Sequence, residues 1–166
     1  PEKVRTMSYY VGGGFGCKGT AWSHVVLAAV AARQVNRPVK LVLGRKQMYG
    51  PVGFRPATIQ QIQIGAGRNG KLTALRHTGS TQTAEFDEFI EPVAKTSRMI
   101  YRCDNVETAH RLVALNIGKP TFMRAPGEAS GSFALESAMD ELAYALKLDP
   151  IELRLRNYAE SDLHKG

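Results

Sequence analysis

The stretch TIQQIQIGAGRNGKLTALRHTGS, residues 58–80, decides the fold class of this 166-residue chain. Residues 58–65 alternate, with Ile62 and Ile64 on one face and Gln61 and Gln63 on the other, which is typical of a half-buried strand. Residues 71–80 carry a second strand pattern, and Asn69-Gly70 lies between the two arms. An Asn-Gly pair in that position predicts a β-hairpin. The sheet is therefore expected to contain antiparallel neighbours.

Upstream of the hairpin the chain reads as strand, helix, strand. Residues 5–11 predict a strand, and residues 39–43 predict a short buried one. Between them, apolar residues recur at helical spacing from Trp22 to Val30. This pattern predicts a helix over residues 20–35 that buries one face.

Downstream of the hairpin, one more strand and two helices are expected. Residues 106–115 predict the strand, and residues 130–147 predict a helix with an apolar stripe. Asp149 and Pro150 have the character of an N-cap and a first-turn proline, so a second helix should run from there to about Asn157. The order of elements predicts an α+β protein of two layers, with helices packed on a mixed β-sheet that includes a hairpin.

Composition excludes several classes of protein. Hydrophobic residues make up 43% and charged residues 22%, as in globular proteins, and no apolar run is long enough to span a bilayer. The net charge of +7 comes from scattered lysines and arginines without interleaved aromatic residues, which favours an anionic cofactor or an acidic partner surface over nucleic acid. The acidic residues Glu85, Asp87, Glu88 and Glu91 are expected to form a solvated patch.

The two ends of the chain and its two cysteines indicate the extent of the protein and its cellular compartment. The chain begins at Pro1 without a targeting signal and ends in the loop-like residues 164–166, which indicates a piece of a longer chain. Cys17 and Cys103 form no CxxC pair, which weakly favours a reducing compartment. The expected location is the cytoplasm, with the periplasm as the alternative.

The first motif with chemical character is GGGFG, residues 12–16, between a predicted strand and a predicted helix. Backbone without Cβ atoms can approach a ligand closely, and its N–H groups can face an anion at a helix N-terminus. A tight turn with surplus glycine is the simplest alternative. Residues 14–19 also fit GxGxxG, so an NADP-binding module with Arg45 facing a 2′-phosphate is another. The hairpin that follows argues against that doubly wound fold.

The second motif is FMRAPGE, residues 122–128, directly before a predicted helix. Arg124 in a Pro-Gly turn can present its planar guanidinium to an anion or to a carbonyl oxygen. Taken alone, the motif is better explained by an ion pair within the turn, for example between Arg124 and Glu128.

In this order, GGGFGxK and FMRAPGE resemble the motifs of the molybdenum hydroxylases, the family of xanthine dehydrogenase and aldehyde oxidase. The resemblance extends to PVKLVLGRKQM at residues 38–48, the hairpin, ESAMDELA at residues 136–143 and DPIELRLRN at residues 149–157. It covers nearly the whole chain but only the middle part of the family's large subunit. Residues 1–166 are therefore expected to be part of its molybdenum cofactor-binding domain.

The resemblance implies an oxidoreductase that hydroxylates aldehydes or N-heterocycles with oxygen taken from water. It implies a molybdenum–molybdopterin cofactor, in plain or cytosine dinucleotide form, with iron–sulfur clusters and FAD on other domains or subunits. The residues matched to cofactor contacts are Gly13, Gly14, Phe15, Gly16 and Ala125. Arg124 matches the arginine that orients substrate. No direct metal ligand is expected here, and the family's general-base glutamate lies beyond the matched region, so this chain alone should be inactive.

Two departures from the family's purine-oxidising members bear on substrate. Those members carry a glutamate where this chain has Gly19, and an aromatic residue where it has Pro126. Without that hydrogen-bonding group and that stacking face, an aldehyde is favoured over a purine. A catalytically silent interaction domain, in which the glycine loop is only a turn, remains a further alternative.

Overall fold

A computed structural model describes residues 2–161, so Pro1 and the end of the chain expected to be loop-like lie outside the described residues. The helices and strands are α1 Ser23–Val35, β1 Thr58–Ala66, β2 Leu72–Ala84, β3 Val106–Leu115, α2 Glu128–Leu146 and α3 Pro150–Asn157. Short 3-10 turns lie at Cys17–Gly19, Gln47–Tyr49 and Thr96–Arg98. In residues 2–161, no helix combines the length and the apolar character that a membrane crossing requires.

The three strands form one sheet in the order β1-β2-β3, and β1 pairs with β2 in antiparallel register. The predicted hairpin is thus confirmed. Its turn is residues 67–71, closed by the Gly67 N–H, which donates to the Lys71 carbonyl at an N···O distance of 2.9 Å. Gly70 has φ 79°, a left-handed conformation that glycine adopts without steric cost. Because α2 packs against β1 and α3, the predicted α+β class is confirmed as well.

The chain divides into two compact units. Among the described residues, the first unit consists of residues 2–56, 83–89 and 114–124, and the second of residues 57–82, 90–113 and 125–161. The core of the second unit is fully buried and is formed by Leu75, Leu135, Met139, Leu153 and Tyr101. Leu135 and Met139 are four residues apart and therefore share one face of α2.

Two predicted strands are not formed. Residues 5–11 and 39–43 belong to no strand, and their apolar side chains are largely exposed, with Tyr10 at 98% and Val42 at 73%. A strand is stable only where a neighbour supplies partners for its N–H and C=O groups, and no segment within residues 2–161 pairs with either one. The prediction is therefore wrong for these two segments, although each has strand-like composition.

The predicted helices are all present, with shifted ends. Helix α1 begins at Ser23 and buries none of its residues, and Val26 and Val30 are 60% and 58% exposed, so the predicted buried face is wrong. Helix α2 begins at Glu128, two residues before the predicted start. The N-cap prediction for α3 is confirmed, because the Asp149 carboxylate accepts hydrogen bonds from two N–H groups of the first turn, at 2.8 and 3.1 Å.

Candidate cofactor and substrate site

The glycine loop, residues 12–16, has a backbone conformation that L-amino acids rarely adopt. The φ angles are 68° at Gly12, 98° at Gly13, 49° at Phe15 and 103° at Gly16. Phe15 is the one residue among these four with a side chain, and a left-handed conformation costs such a residue roughly 1–2 kcal/mol. The surrounding chain must therefore hold the loop in place, which is common at ligand-binding sites.

The N–H groups of the glycine loop are free to bind a ligand. None of the N–H groups of residues 12–16 donates a hydrogen bond to any other described residue. Some of the loop's carbonyl groups, in contrast, are engaged: the Phe15 carbonyl accepts from the Arg124 N–H at 2.6 Å, and the Gly14 carbonyl accepts from Cys17 Sγ at 3.3 Å. A run of unpaired N–H groups on backbone without Cβ atoms suits the anionic oxygen atoms of a ligand.

The aromatic ring of Phe15 packs against the backbone of Gly13 within this loop. A Cβ atom added at Gly13 would lie 2.9 Å from the Phe15 ring, so the ring rests directly against the glycine backbone. The Phe15 side chain is nevertheless 66% exposed. Its outer face is therefore available to a planar group.

Within the first unit, the structure brings the two predicted motifs together. A Cβ atom at Gly16 would lie 2.9 Å from the Phe122 carbonyl oxygen and 3.1 Å from Met123 Cα, so the two segments touch backbone to backbone. The Arg124 N–H donates to Phe15, as described above. The Arg124 carbonyl in turn accepts from Arg55 Nη2 at 2.5 Å. Glycine at position 16 is what permits this approach.

Arg124 is fixed through its backbone, while its side chain remains accessible. The residue is exposed, and its guanidinium makes no hydrogen bond or ion pair with any residue in the described part of the chain. Glu128, the partner suggested for it from the sequence, forms an ion pair with Lys95 at 2.6 Å. An exposed guanidinium on a fixed backbone can bind an anion or a carbonyl oxygen with defined geometry.

In the second unit, the turn of residues 125–127 continues directly from Arg124. Ala125 and Gly127 have φ angles of 58° and 77°, and Ala125 is exposed. A Cβ atom at Gly127 would lie 2.3 Å from the Pro92 carbonyl oxygen, so only glycine fits there. The Ala125 carbonyl accepts from the Ala129 N–H at 3.1 Å, which joins the turn to the first residues of α2.

Sequence reasoning missed the role of Glu91. Glu85, Asp87 and Glu88 are exposed as predicted, but Glu91 is fully buried. Its Oε1 atom accepts from the Gly127 N–H at 2.8 Å and from Ser130 Oγ at 3.4 Å. The prediction of a solvated patch is wrong for Glu91 because long-range packing, which local sequence does not encode, covers it. One feature of the sequence could have indicated such a residue: Gly127 occupies the N-cap position of α2 and has no side chain, so a group from elsewhere can bind there.

The structure does not support the dinucleotide alternative. A GxGxxG loop binds a dinucleotide within a β-α-β unit, and neither flanking strand forms in residues 2–161. The Arg45 guanidinium lies over the Tyr49 ring, 4.8 Å from its centroid. Across the described residues, no group of three or more His, Cys, Asp or Glu side chains could hold a metal ion.

Comparison with known proteins identifies the family. Residues 1–158 match the molybdopterin cofactor-binding domain, and the chain belongs to this family. This agrees with the loop geometry, since a pterin phosphate carries anionic oxygen atoms that unpaired N–H groups can bind. Residues 13–16 therefore fit such a group.

Two of the relatives carry names that refer to aldehyde oxidation. The chain is 41% identical to the aldehyde oxidoreductase molybdenum-binding subunit PaoC of Escherichia coli K12 over 97% of its length, but covers 22% of that protein. It is 33% identical to indole-3-acetaldehyde oxidase of Zea mays, covering 94% of this chain and 12% of that protein. It thus spans about a fifth or less of these relatives.

Solved structures show the same fold. Aldehyde oxidoreductase from Desulfovibrio gigas aligns with a TM-score of 0.78 and 31% identity, over 91% of this chain and 17% of that one. CO dehydrogenase from Oligotropha carboxidovorans aligns with a TM-score of 0.79 and 25% identity, over 90% of this chain and 20% of that one.

Proposed function

We propose that this chain is part of the molybdenum cofactor-binding domain of a longer subunit, in an oxidoreductase that hydroxylates aldehydes with oxygen taken from water. The observation that carries the proposal is the contact of the glycine loop with the Arg124 segment. It combines unpaired N–H donors with an accessible guanidinium on a fixed backbone. The names of the relatives, an aldehyde oxidoreductase subunit and an aldehyde oxidase, support the substrate class.

Each site residue has a defined role in this proposal. The molybdenum–molybdopterin group, plain or as the cytosine dinucleotide, supplies redox chemistry at the reacting carbon. Residues 13–16 bind it through backbone N–H groups and the Phe15 ring, and Ala125 borders it from the following turn. Arg124 donates hydrogen bonds to the substrate oxygen and stabilises the negative charge that develops there. A general base from outside this chain completes the site.

The substrate preference rests on two positions that lack polar or aromatic side chains. Gly19 offers no carboxylate, and a Cβ atom there would lie 3.6 Å from the Phe122 ring. Pro126 is exposed and offers no stacking face. A purine would therefore find neither a hydrogen-bonding partner nor an aromatic surface at these positions, whereas an aldehyde needs neither.

Electrons must leave the site, and this chain has no group of its own to carry them. We expect iron–sulfur clusters and FAD on other domains or subunits of the same enzyme, because Cys17 and Cys103 are separate free cysteines. The expected location remains the cytoplasm, with the periplasm as the alternative.

The first test is the metal and pterin content of the complete subunit. It would be purified with its native partners from cells that make the cofactor. About one molybdenum and one released pterin per subunit are expected, because the chain carries one glycine loop in contact with one Arg124 segment. Absence of both from correctly folded protein overturns the proposal.

The second test concerns the substrate. Steady-state rates of the complete enzyme with benzaldehyde and with xanthine are compared under identical conditions. A higher kcat/KM for benzaldehyde is expected. Faster turnover of xanthine would overturn the preference for aldehydes while leaving the cofactor assignment in place.

A further inference from the structure

We infer that Glu91 is a positioning residue, which holds the turn of residues 125–127 in the conformation that the cofactor site requires. This inference rests on the function proposed above, since the turn matters for catalysis only if it borders a bound cofactor. Glu91 itself lies behind the turn and is fully buried, so it acts through the backbone that it contacts.

The first argument is that α2 begins without a cap of its own. The N-cap residue is Gly127, which has no side chain to accept hydrogen bonds from the free N–H groups of the first turn. Glu91, in a distant segment, instead accepts from the N–H of the N-cap residue itself and from a first-turn hydroxyl group: its Oε1 atom lies 2.8 Å from the Gly127 nitrogen and 3.4 Å from Ser130 Oγ. A carboxylate at a helix N-terminus is also stabilised by the helix dipole.

The second argument is that the segment around Glu91 encloses the start of α2. A Cβ atom at Gly131 would lie 1.8 Å from the Val93 carbonyl oxygen, so the two backbones are in direct contact, as they are at Gly127. Lys95 adds an ion pair with Glu128 at 2.6 Å. Residues 91–95, here called the clasp, thus contact the first turn of α2 at several consecutive points.

The third argument is that a polar network ties the start of α2 to the sheet. Gln60 Nε2 donates to the Ser130 carbonyl at 3.3 Å, and Gln60 Oε1 lies 3.0 Å from His77 Nε2. His77 Nδ1 lies 2.7 Å from Ser97 Oγ. Ser130, which also donates to Glu91, is therefore tied to the sheet. This support restricts the movement of the residues that Glu91 contacts.

The consequence is a turn whose conformation depends on Glu91. Ala125 and Gly127 both have left-handed φ angles, which persist only where the surroundings enforce them. When the Gly127 N–H loses its acceptor, the turn can relax toward more common conformations. Ala125 would then shift away from the position in which it borders the cofactor.

The test compares Glu91→Ala and Glu91→Gln in the complete enzyme with a matched control, Asp149→Ala. The Asp149 carboxylate also accepts backbone N–H groups at a helix start, that of α3, and Asp149 lies in neither motif. Amide hydrogen exchange is followed in the peptides that cover residues 123–131 and 149–157. We expect Glu91→Ala to accelerate exchange in the first peptide alone and Asp149→Ala in the second alone. Glu91→Gln retains an acceptor oxygen without the charge, so it should accelerate exchange in the first peptide by less.

Kinetics provide the readout for positioning. Turnover per bound molybdenum should fall about tenfold in Glu91→Ala, because small misplacements in an active site are costly, while KM stays within about twofold. Asp149→Ala should match the wild type in both quantities. If Glu91→Ala does not yield folded protein, Glu91→Gln is decisive, with a smaller loss of turnover expected.

Two results overturn the inference. The first is an amide hydrogen exchange rate in residues 123–131 of the Glu91 variants that equals the rate in the wild type. The second is turnover per molybdenum that matches the Asp149→Ala control. Failure of the proposed function is recognised separately, because the wild-type enzyme itself would then contain neither molybdenum nor pterin.

Discussion

Arg124 engages its neighbours through the backbone and leaves its guanidinium without a partner among the described residues. Its N–H and carbonyl are both hydrogen-bonded, to Phe15 and Arg55, whereas its side chain binds no described residue. In the complete enzyme, Arg124→Met should therefore lower kcat/KM for an aldehyde about 100-fold, the usual effect of removing one donor to a developing negative charge. Molybdenum content should not change, because the backbone contacts persist.

The matched control for Arg124→Met is Arg76→Met. Arg76 is also an exposed arginine, and its guanidinium pairs with Glu107 at 3.2 Å on the sheet. Its replacement should leave steady-state kinetics unchanged. If Arg124→Met keeps kcat/KM within about twofold, a loss of roughly 0.4 kcal/mol of transition-state stabilisation, Arg124 is structural.

A comparison of Gly16 with Gly12 distinguishes two reasons for glycine in the loop, a positive φ angle and a close backbone contact. Both have positive φ angles, but an added Cβ atom meets the Phe122 carbonyl at Gly16 and nothing within 4 Å at Gly12. Gly12→Ala should cost about 1–2 kcal/mol for the conformation alone. Gly16→Ala should cost more and should also lower molybdenum content, because it pushes the loop away from the Arg124 segment. Denaturant unfolding and metal analysis measure both; equal losses would contradict the role given to this contact.

At the scale of single residues, the sequence points to residues with an unusual composition or motif and misses residues whose environment is set by long-range packing. GGGFG and Arg124 stand out by composition and by their place next to predicted helices, so the sequence alone is enough to select them. Glu91 does not stand out in this way, because a carboxylate among other acidic residues looks solvated. Its burial depends on contact with the start of α2, whose N-cap residue Gly127 lies 36 positions later in the chain.

At the scale of elements, the buried His77 links β2 to the segment that follows the clasp and makes stability depend on pH. Burial lowers the pKa of His77 below its ordinary value of 6.5, and positive charge on nearby His110 lowers it further. The unfolded chain therefore binds a proton more readily than the folded one. The contribution of His77 to the free energy of unfolding is fully present above about pH 6.5. It is lost as the pH falls toward the pKa of His77 in the folded protein, by at most about 1.4 kcal/mol per pH unit for one histidine.

The corresponding variants are His77→Gln and Ser97→Ala. Both lose the hydrogen bond between His77 Nδ1 and Ser97 Oγ, so both should be less stable than the wild type at neutral pH. Only His77→Gln removes the titrating group. The free energy of unfolding, measured between about pH 5 and pH 8, should fall less steeply in His77→Gln and as in the wild type in Ser97→Ala. Equal slopes in the wild type and His77→Gln would exclude His77 as the source.

Elements that depend on local sequence are predicted well, and elements that depend on distant partners are not. The hairpin follows from its Asn-Gly turn and alternation, and α3 follows from its Asp149 cap; both are short-range signals. Residues 5–11 and 39–43 have comparable composition but lack a strand to pair with among the described residues. Composition measures how well a segment suits a sheet, whereas pairing decides whether the sheet forms.

At the scale of the whole molecule, the two units differ in how they bury apolar surface. The second unit has a core of fully buried side chains that includes Leu135 and Met139. In the first unit, α1 buries no residue, and large apolar side chains such as Tyr10 and Val42 are exposed. Exposed apolar side chains that form a large patch usually mark an interface. The chain spans 22% of its relative PaoC, so we expect the remainder of a longer subunit to cover this surface.

Amide hydrogen exchange of the isolated 166-residue chain tests this expectation. Amides of α2 and β2 should exchange slowly, since they open only with the core, and they serve as the internal control. Amides of residues 2–49 should exchange rapidly in the isolated chain and slowly in the complete subunit, because burial of their apolar side chains stabilises the segment only when its partner is present. The isolated chain should also show no aldehyde-dependent dye reduction. Slow exchange throughout the isolated chain would mean that the first unit is stable without a covering partner. Measurable dye reduction would mean that the general base of the proposed reaction lies within these 166 residues.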